Sequence, residues 1–138
     1  MAMGTDNGGQ VLQGAKILVL EDEFFIALDV EAAMQTAGAD VVGPFADLPQ
    51  ALAAASREDL SLAVLDIRLV STTTKPVCDL LTERKIPFFF YSGQPLPDDM
   101  AVKYGKVPFV DKPARMDELV EAATLLLRAG RNKSELLA

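Results

Sequence analysis

Leu62-Ala63-Val64-Leu65-Asp66 decides how this chain is read: four apolar residues in a row, closed by one carboxylate. A run that short, with no polar alternation, is a strand buried on both faces, and burial on both faces points to a parallel sheet. Asp66 then stands at the carboxyl end of the strand, the edge where open α/β sheets bind their ligands. A second apolar run, Ile17-Leu18-Val19-Leu20, leads into Glu21, Asp22 and Glu23. Carboxylates gathered at two strand ends repel one another unless they are protonated or bridged by a hard cation, so Mg2+ is the expected ligand of such an edge. Phe88-Phe89-Phe90-Tyr91 leads into Ser92 and Gly93, and Val107-Pro108-Phe109-Val110 leads into Asp111, Lys112 and Pro113. A hydroxyl and an ammonium therefore join the carboxylates.

Working outward, residues 1–15 hold four glycines among polar residues without a period, and are expected to be a mobile arm. A helix over about Glu23–Ala37 places Ile26, Val30, Ala33, Met34 and Ala37 on one stripe, and Gly38 stops it. Phe24, Phe25 and Leu28 fall off that stripe, either as the margin of a wide core face or as apolar bulk at the mouth of the acidic crevice. Val41 and Val42 form a short strand ended by Gly43 and Pro44, after which Asp47 caps a helix with Pro49 in its first turn. Beyond Asp66 runs a β-branched loop without glycine, then a helix over about Pro76–Glu83 with Val77, Leu80 and Leu81 inward. Pro95 and Pro97 leave only Asp98–Tyr104 for a fourth helix, short enough to be among the least stable elements. The last helix spans about Arg115–Ala129 and Gly130 ends it, leaving residues 131–138 as a tail.

Composition bounds the function. A length of 138 residues suits one domain and leaves no room for an output domain. No apolar run approaches the roughly 20 residues that span a bilayer, so no membrane partner is expected. The absence of a signal-peptide pattern and a lone Cys78 suit a reducing cytoplasm. With no His in the chain, a Ser-His or Cys-His catalytic pair, a His-ligated zinc site and a phosphohistidine carrier are all excluded. A net charge of −7 argues against nucleic acid as a partner.

An acidic pair, a single Asp, a Ser or Thr and a Lys-Pro, each closing a successive apolar strand, resembles the receiver domain of response regulators over about residues 16–130. The resemblance implies a doubly wound α/β fold of the flavodoxin-like, CheY-like kind: five parallel strands in the order 2-1-3-4-5, flanked by five helices. It implies that Asp66 accepts a phosphoryl group from a sensor histidine kinase or histidine phosphotransferase. It also implies that Mg2+ is held by Asp22, Asp66 and the backbone carbonyl of Arg68, with Glu21 acting directly or through water. Lys112 would pair with Asp66 and then with a phosphoryl oxygen, the Ser92 hydroxyl and the Gly93 N–H would bind the other oxygens, and Phe109 would be the aromatic switch. The stretch Pro87–Gln94 is also similar to a subgroup of single-domain receivers from alphaproteobacteria with the signature Pro-Phe-x-Phe-Ala-Thr-Gly-Tyr, with Tyr91, Ser92 and Gln94 in place of its Ala, Thr and final Tyr.

Each residue alone has a plainer reading: Glu21, Asp22 and Glu23 as acids opening a helix, Ser92 as a turn hydroxyl, Lys112 as a solvated lysine. Three functions follow for the set. A receiver would catalyse only its own phosphorylation and dephosphorylation, without turnover, and would signal to a downstream protein target by contact. A haloacid-dehalogenase-type phosphatase would need a second Asp two residues after the nucleophile, where Arg68 stands. A receiver-like module that binds partners without phosphorylation would not need Asp22, Asp66 and Lys112 together. On the receiver reading, the partner meets the first helix around Phe24, Phe25 and Leu28 together with the loop after Lys112.

Overall fold

A computed structural model describes residues 10–137, with side chains through Arg131. Its elements in chain order are β1 (Lys16–Leu20), α1 (Phe24–Thr36), β2 (Asp40–Phe45), α2 (Leu48–Arg57), β3 (Leu62–Leu65), α3 (Lys75–Glu83), β4 (Phe88–Ser92), α4 (Asp98–Tyr104), β5 (Phe109–Asp111) and α5 (Met116–Leu137). The strands form one sheet in the order β2-β1-β3-β4-β5, and every neighbouring pair is parallel. This is the doubly wound, flavodoxin-like fold that the sequence predicts.

The apolar runs without alternation are the three central strands. All residues of β3 and β4 are buried, because helices cover both faces and each side chain meets a core. Alternate residues feed opposite layers. Leu18, Leu20, Ala63, Leu65, Phe88 and Phe90 pack with residues of α2, α3 and α4. Ile17, Val19, Leu62, Val64, Phe89 and Tyr91 pack with residues of α1 and α5. Asp47 caps α2 as expected, accepting from the Gln50 N–H at 3.0 Å.

Several boundaries differ from the sequence reading. Residues 1–9 of the expected arm lie outside the described residues, but 10–15 form a packed turn. The Leu12 N–H bonds the Ala37 carbonyl at 2.8 Å and its side chain is fully buried. Leu12 and Ala15 enter the core and Val11 packs against it, anchoring a stretch that composition alone marks as loose. Gly38 serves both ends of this contact: its φ of +102° ends α1, and a Cβ there would come within 3.0 Å of the Gln13 backbone nitrogen. On α1 the buried stripe is Ala27, Val30 and Met34, so the helix is rotated slightly from the predicted face and Ile26 and Ala33 are half-buried.

The second strand does not end at Gly43-Pro44. It runs on to Phe45, with one extra residue against β1, since Val42 pairs with Leu18 and Phe45 with Leu20. This bulge needs glycine: Gly43 has φ +105°, and a Cβ would stand 2.8 Å from the Phe45 nitrogen. An edge strand tolerates the proline because its outer N–H positions have no partner to lose. Gly130 likewise does not end the last helix, which continues to Leu137. Nothing lies within 4 Å of the position its Cβ would take, and a lone glycine without a left-handed conformation only weakens a helix.

The short α4 is as brief as the prolines require, yet it is anchored. Met100 and Tyr104 are buried, and Asp79 of α3 accepts hydrogen bonds from Lys75 and Lys103, each at 3.0 Å, and from the Tyr104 hydroxyl. Tyr104 also begins a ladder of rings, with centroids 5.6 Å to Phe88, 5.6 Å on to Phe90 and 6.2 Å on to Phe109. Burial alone would raise the Asp79 pKa, but the hydrogen bonds from Tyr104, Lys103 and Lys75 outweigh it and hold the carboxyl down at about 2.

Two measurements check these anchors. Leu12→Ala is expected to lower unfolding stability by about 2–5 kcal/mol in a denaturant titration, because it empties a buried site; a mobile arm would give no change. Asp79→Asn is expected to cost about 0.5–1 kcal/mol near neutral pH, discounted for a side chain that is 37% exposed. Because the folded carboxyl is held below the ordinary carboxylate range, that contribution is present above about pH 4 and is lost as pH falls toward 2. The variant and the parent should therefore converge in acid.

Candidate functional site

The strand ends are brought to one edge by three backbone hydrogen bonds. The Asp66 N–H donates to the Leu20 carbonyl at 3.0 Å, the Glu21 N–H to the Phe45 carbonyl at 2.9 Å, and the Lys112 N–H to the Ser92 carbonyl at 2.9 Å. Each bond continues a ladder one residue past its strand, so side chains far apart in sequence are held in register. The bulge in β2 is part of this frame, since it carries Phe45 to Glu21.

At this edge the Lys112 ammonium is the hub. It lies 2.8 Å from Glu21 Oε1, 3.0 Å from Glu23 Oε2 and 3.1 Å from Asp66 Oδ2, and 5.5 Å from the centre of the Tyr91 ring. Asp66 is 7% exposed; its other oxygen accepts from the Ile67 N–H at 2.7 Å. Glu21 is 4% exposed, and its Oε2 accepts from the Glu23 N–H at 3.1 Å. One cation thus faces three carboxylates, two of them buried.

That imbalance shows in the proton affinities. Burial, with the Asp66 charge adding to it, pushes the Glu21 carboxyl up to about 7 against the hydrogen bonds from Lys112 and Glu23. Burial would lower the Lys112 pKa, but hydrogen bonds and charge from Glu21, Glu23 and Asp66 outweigh it, and the ammonium is held well above its ordinary range. The two directions agree: negative charge is in excess here.

Glu21, Asp22 and Asp66 each offer a carboxylate oxygen, all within 4.8 Å of one another. An all-oxygen donor set with surplus negative charge fits a hard divalent cation of the Mg2+ type, and its lack of sulfur or imidazole does not suit zinc. The group opens into a crevice of about 700 Å³ whose lining includes Asp22, Asp66, Arg68, Ser92, Gly93 and Lys112. Every predicted site residue except Phe109 is therefore at this edge, with Glu21 buried beneath it. Phe109 is half-buried against Phe90. Ser92 is 2% exposed, and its Oγ accepts from the Gln94 N–H at 3.3 Å. A Cβ on Gly93 would meet only the Lys112 Cβ at 3.8 Å, so its glycine is not sterically required.

Three contributors were invisible as site residues in the sequence. Glu23 reads there as one more acid at a helix start. Thr74, fully buried, donates its hydroxyl to the Asp66 carbonyl at 2.6 Å, bracing the loop after β3 in which Arg68 pairs with Thr73. The Tyr91 hydroxyl accepts from the Ala114 N–H at 3.3 Å, fixing the chain beyond Lys112. Cys78 is buried and its thiol is pushed up to about 12, chiefly by burial.

No family model matches the sequence, and no curated protein matches it. Solved structures do match. A CheY-like response regulator receiver domain protein from Methanospirillum hungatei aligns with TM-score 0.78 at 19% identity, over 86% of this chain and 98% of that one. A response regulator receiver protein from Sinorhizobium medicae aligns with TM-score 0.73 at 24% identity, over 86% and 98%. The anti-anti-sigma factor PhyR from Bartonella quintana aligns with TM-score 0.73 at 24% identity, over 90% of this chain and 51% of that one. The fold is that of CheY-like receiver domains.

The cation fit has a measurable consequence. Burial holds the Glu21 carboxyl above the ordinary carboxylate range, at about 7, so its contribution to stability is complete below about pH 4.5 and is lost as pH rises through about 7. Mg2+ takes the ionised carboxylate, so it should raise the melting temperature more at about pH 8 than at about pH 6. Asp22→Asn should weaken Mg2+ binding about tenfold or more in a calorimetric titration.

Proposed function

We propose that the chain is a response-regulator receiver that accepts a phosphoryl group onto Asp66 from the phosphohistidine of a sensor histidine kinase or histidine phosphotransferase, and signals by protein contacts. The observation that carries this is the Lys112 ammonium 3.1 Å from Asp66 Oδ2, beside carboxylates clustered within 4.8 Å. A phosphoryl group needs an ionised nucleophile, charge neutralisation and positioning more than it needs a proton shuttle. Asp66 forms the new P–O bond while the P–N bond to the donor imidazole breaks and the ring leaves with the electron pair.

Glu21, Asp22, Asp66 and the backbone carbonyl of Arg68 are the groups to hold Mg2+. That ion, when bound, neutralises charge on the transferring phosphoryl oxygens. Lys112 takes one phosphoryl oxygen, and the Ser92 hydroxyl with the Gly93 N–H takes the others. Phe109 carries the change away from the site by packing in or out.

Phe24, Phe25 and Leu28 are 67%, 78% and 42% exposed, which supports a docking face for the donor on α1, beside the crevice. The Pro87–Gln94 string supports a place near the alphaproteobacterial single-domain subgroup. We read the protein as non-turnover and cytoplasmic, without a nucleic-acid partner. No described helix is long and apolar enough to cross a membrane. The alternative, a binding module that needs no phosphorylation, has no use for the Asp66 and Lys112 pair. Arg68, exposed where a phosphatase needs an acid, speaks against that reaction.

Incubation with acetyl phosphate and Mg2+, followed by intact-mass measurement, tests the proposal. One phosphoryl group is expected on the parent and none on Asp66→Asn, whose amide keeps the shape but not the nucleophile. Equal labelling of the two would remove Asp66 from its role, and no labelling of either would favour the phosphorylation-independent module.

A further inference from the structure

Glu23 heads α1, yet its side chain makes no cap hydrogen bond there. It reaches instead to Lys112 at 3.0 Å, the ammonium that also pairs with Glu21 and Asp66. Its side chain is 60% exposed, against 4% for Glu21 and 9% for Asp66, and it is not one of the three clustered carboxylates. It is therefore the one Lys112 partner that can turn into solvent without leaving a buried charge unpaired.

A phosphoryl group on Asp66 presents about two negative charges to the same ammonium where the carboxylate presented one. Glu23 and that group then compete for Lys112. We propose that Glu23 is a positioning residue that tethers Lys112 at rest and must release it when Asp66 is phosphorylated, so that this carboxylate limits how readily the site accepts a phosphoryl group. This rests on the reading of Asp66 as the acceptor. It concerns only the Glu23 side chain, since the Glu23 N–H bond to Glu21 survives substitution.

The experiment compares the parent, Glu23→Gln and Glu23→Asp for labelling by limiting acetyl phosphate with Mg2+, for beryllofluoride affinity, for the Lys112 side-chain resonances at rest and for melting temperature. In labelling, Asp66 bonds to phosphorus as the P–O bond to acetate breaks; acetate leaves with the electron pair and no proton moves. Glu23→Gln is expected to label about two- to fivefold faster and to bind beryllofluoride tighter by about the same factor, the range of an ion pair with one exposed partner. The resting Lys112 resonances should move, with the melting temperature unchanged. Glu23→Asp keeps the charge but loses the reach, so it should follow Glu23→Gln. Parent-like behaviour of Glu23→Asp would mean that the field of the charge, not the contact, is responsible, and would overturn the tether. So would a Glu23→Gln variant that labels at the parental rate or slower. A parent that takes no label removes the acceptor reading and the tether together, whereas a labelled parent with an indifferent Glu23→Gln removes the tether alone.

Discussion

The Lys112 ammonium sits among more negative charge than it can neutralise, and the surrounding architecture serves to hold that arrangement in place. Two of its three carboxylate partners, Glu21 and Asp66, are almost fully buried. Taking ionised groups out of water costs several kcal/mol each unless pairing and hydrogen bonds compensate. Here the compensation comes from backbone N–H groups, with Ile67 donating to Asp66 and Glu23 donating to Glu21. It remains incomplete, as the raised Glu21 pKa records. A site left with surplus negative charge is one that gains from a cation, which is the physical reason for reading it as a place where Mg2+ and a phosphoryl group meet.

Such a site needs a stiff frame, and the parallel sheet supplies it. All strands point the same way, so every carboxyl end falls on one edge, and the residue one position past β1, β3 and β5 is placed by a continuation of the ladder that builds the sheet. Alternation then sorts the remaining strand side chains into two cores. On the α2–α4 side the rings of Phe109, Phe90, Phe88 and Tyr104 form a continuous contact. Aromatic pairs of this kind contribute about 0.5–1.5 kcal/mol each beyond their burial. The ladder joins the residue expected to switch, Phe109, to α4, and Asp79 joins α4 to α3. Phe109 is in this way connected by ring contacts to the shortest helix of the fold.

Reading from sequence worked where one residue type in one pattern has a single physical solution. The unalternated runs are too short for helices and suit strands covered on both faces, and in a parallel sheet the polar residues closing them then stand at one edge. Reading failed where the outcome hung on one contact. Leu12, with Ala15 buried beside it, converts the last two fifths of a glycine-rich arm into a packed turn, since a fully buried leucine helps to offset the ordering of a short turn. Gly43 and Pro44 resemble a strand stop but build a bulge, because whether a glycine ends a strand or kinks it depends on the neighbour it approaches. Gly130, similarly, lies inside a helix that its flanking residues continue.

The sequence by itself determined the parallel α/β architecture, the polar residues that close its strands and the acidic, all-oxygen character of the edge, since these follow from burial patterns and side-chain types that do not depend on distance. Only the tertiary structure decided which acids share Lys112, that Thr74 braces the Asp66 carbonyl, and that Tyr91 rather than a smaller residue lies beneath the ammonium. Those pairings join residues eight to 89 positions apart. A local pattern carries no information about which of several identical carboxylates folding will bring within 3 Å of a given cation.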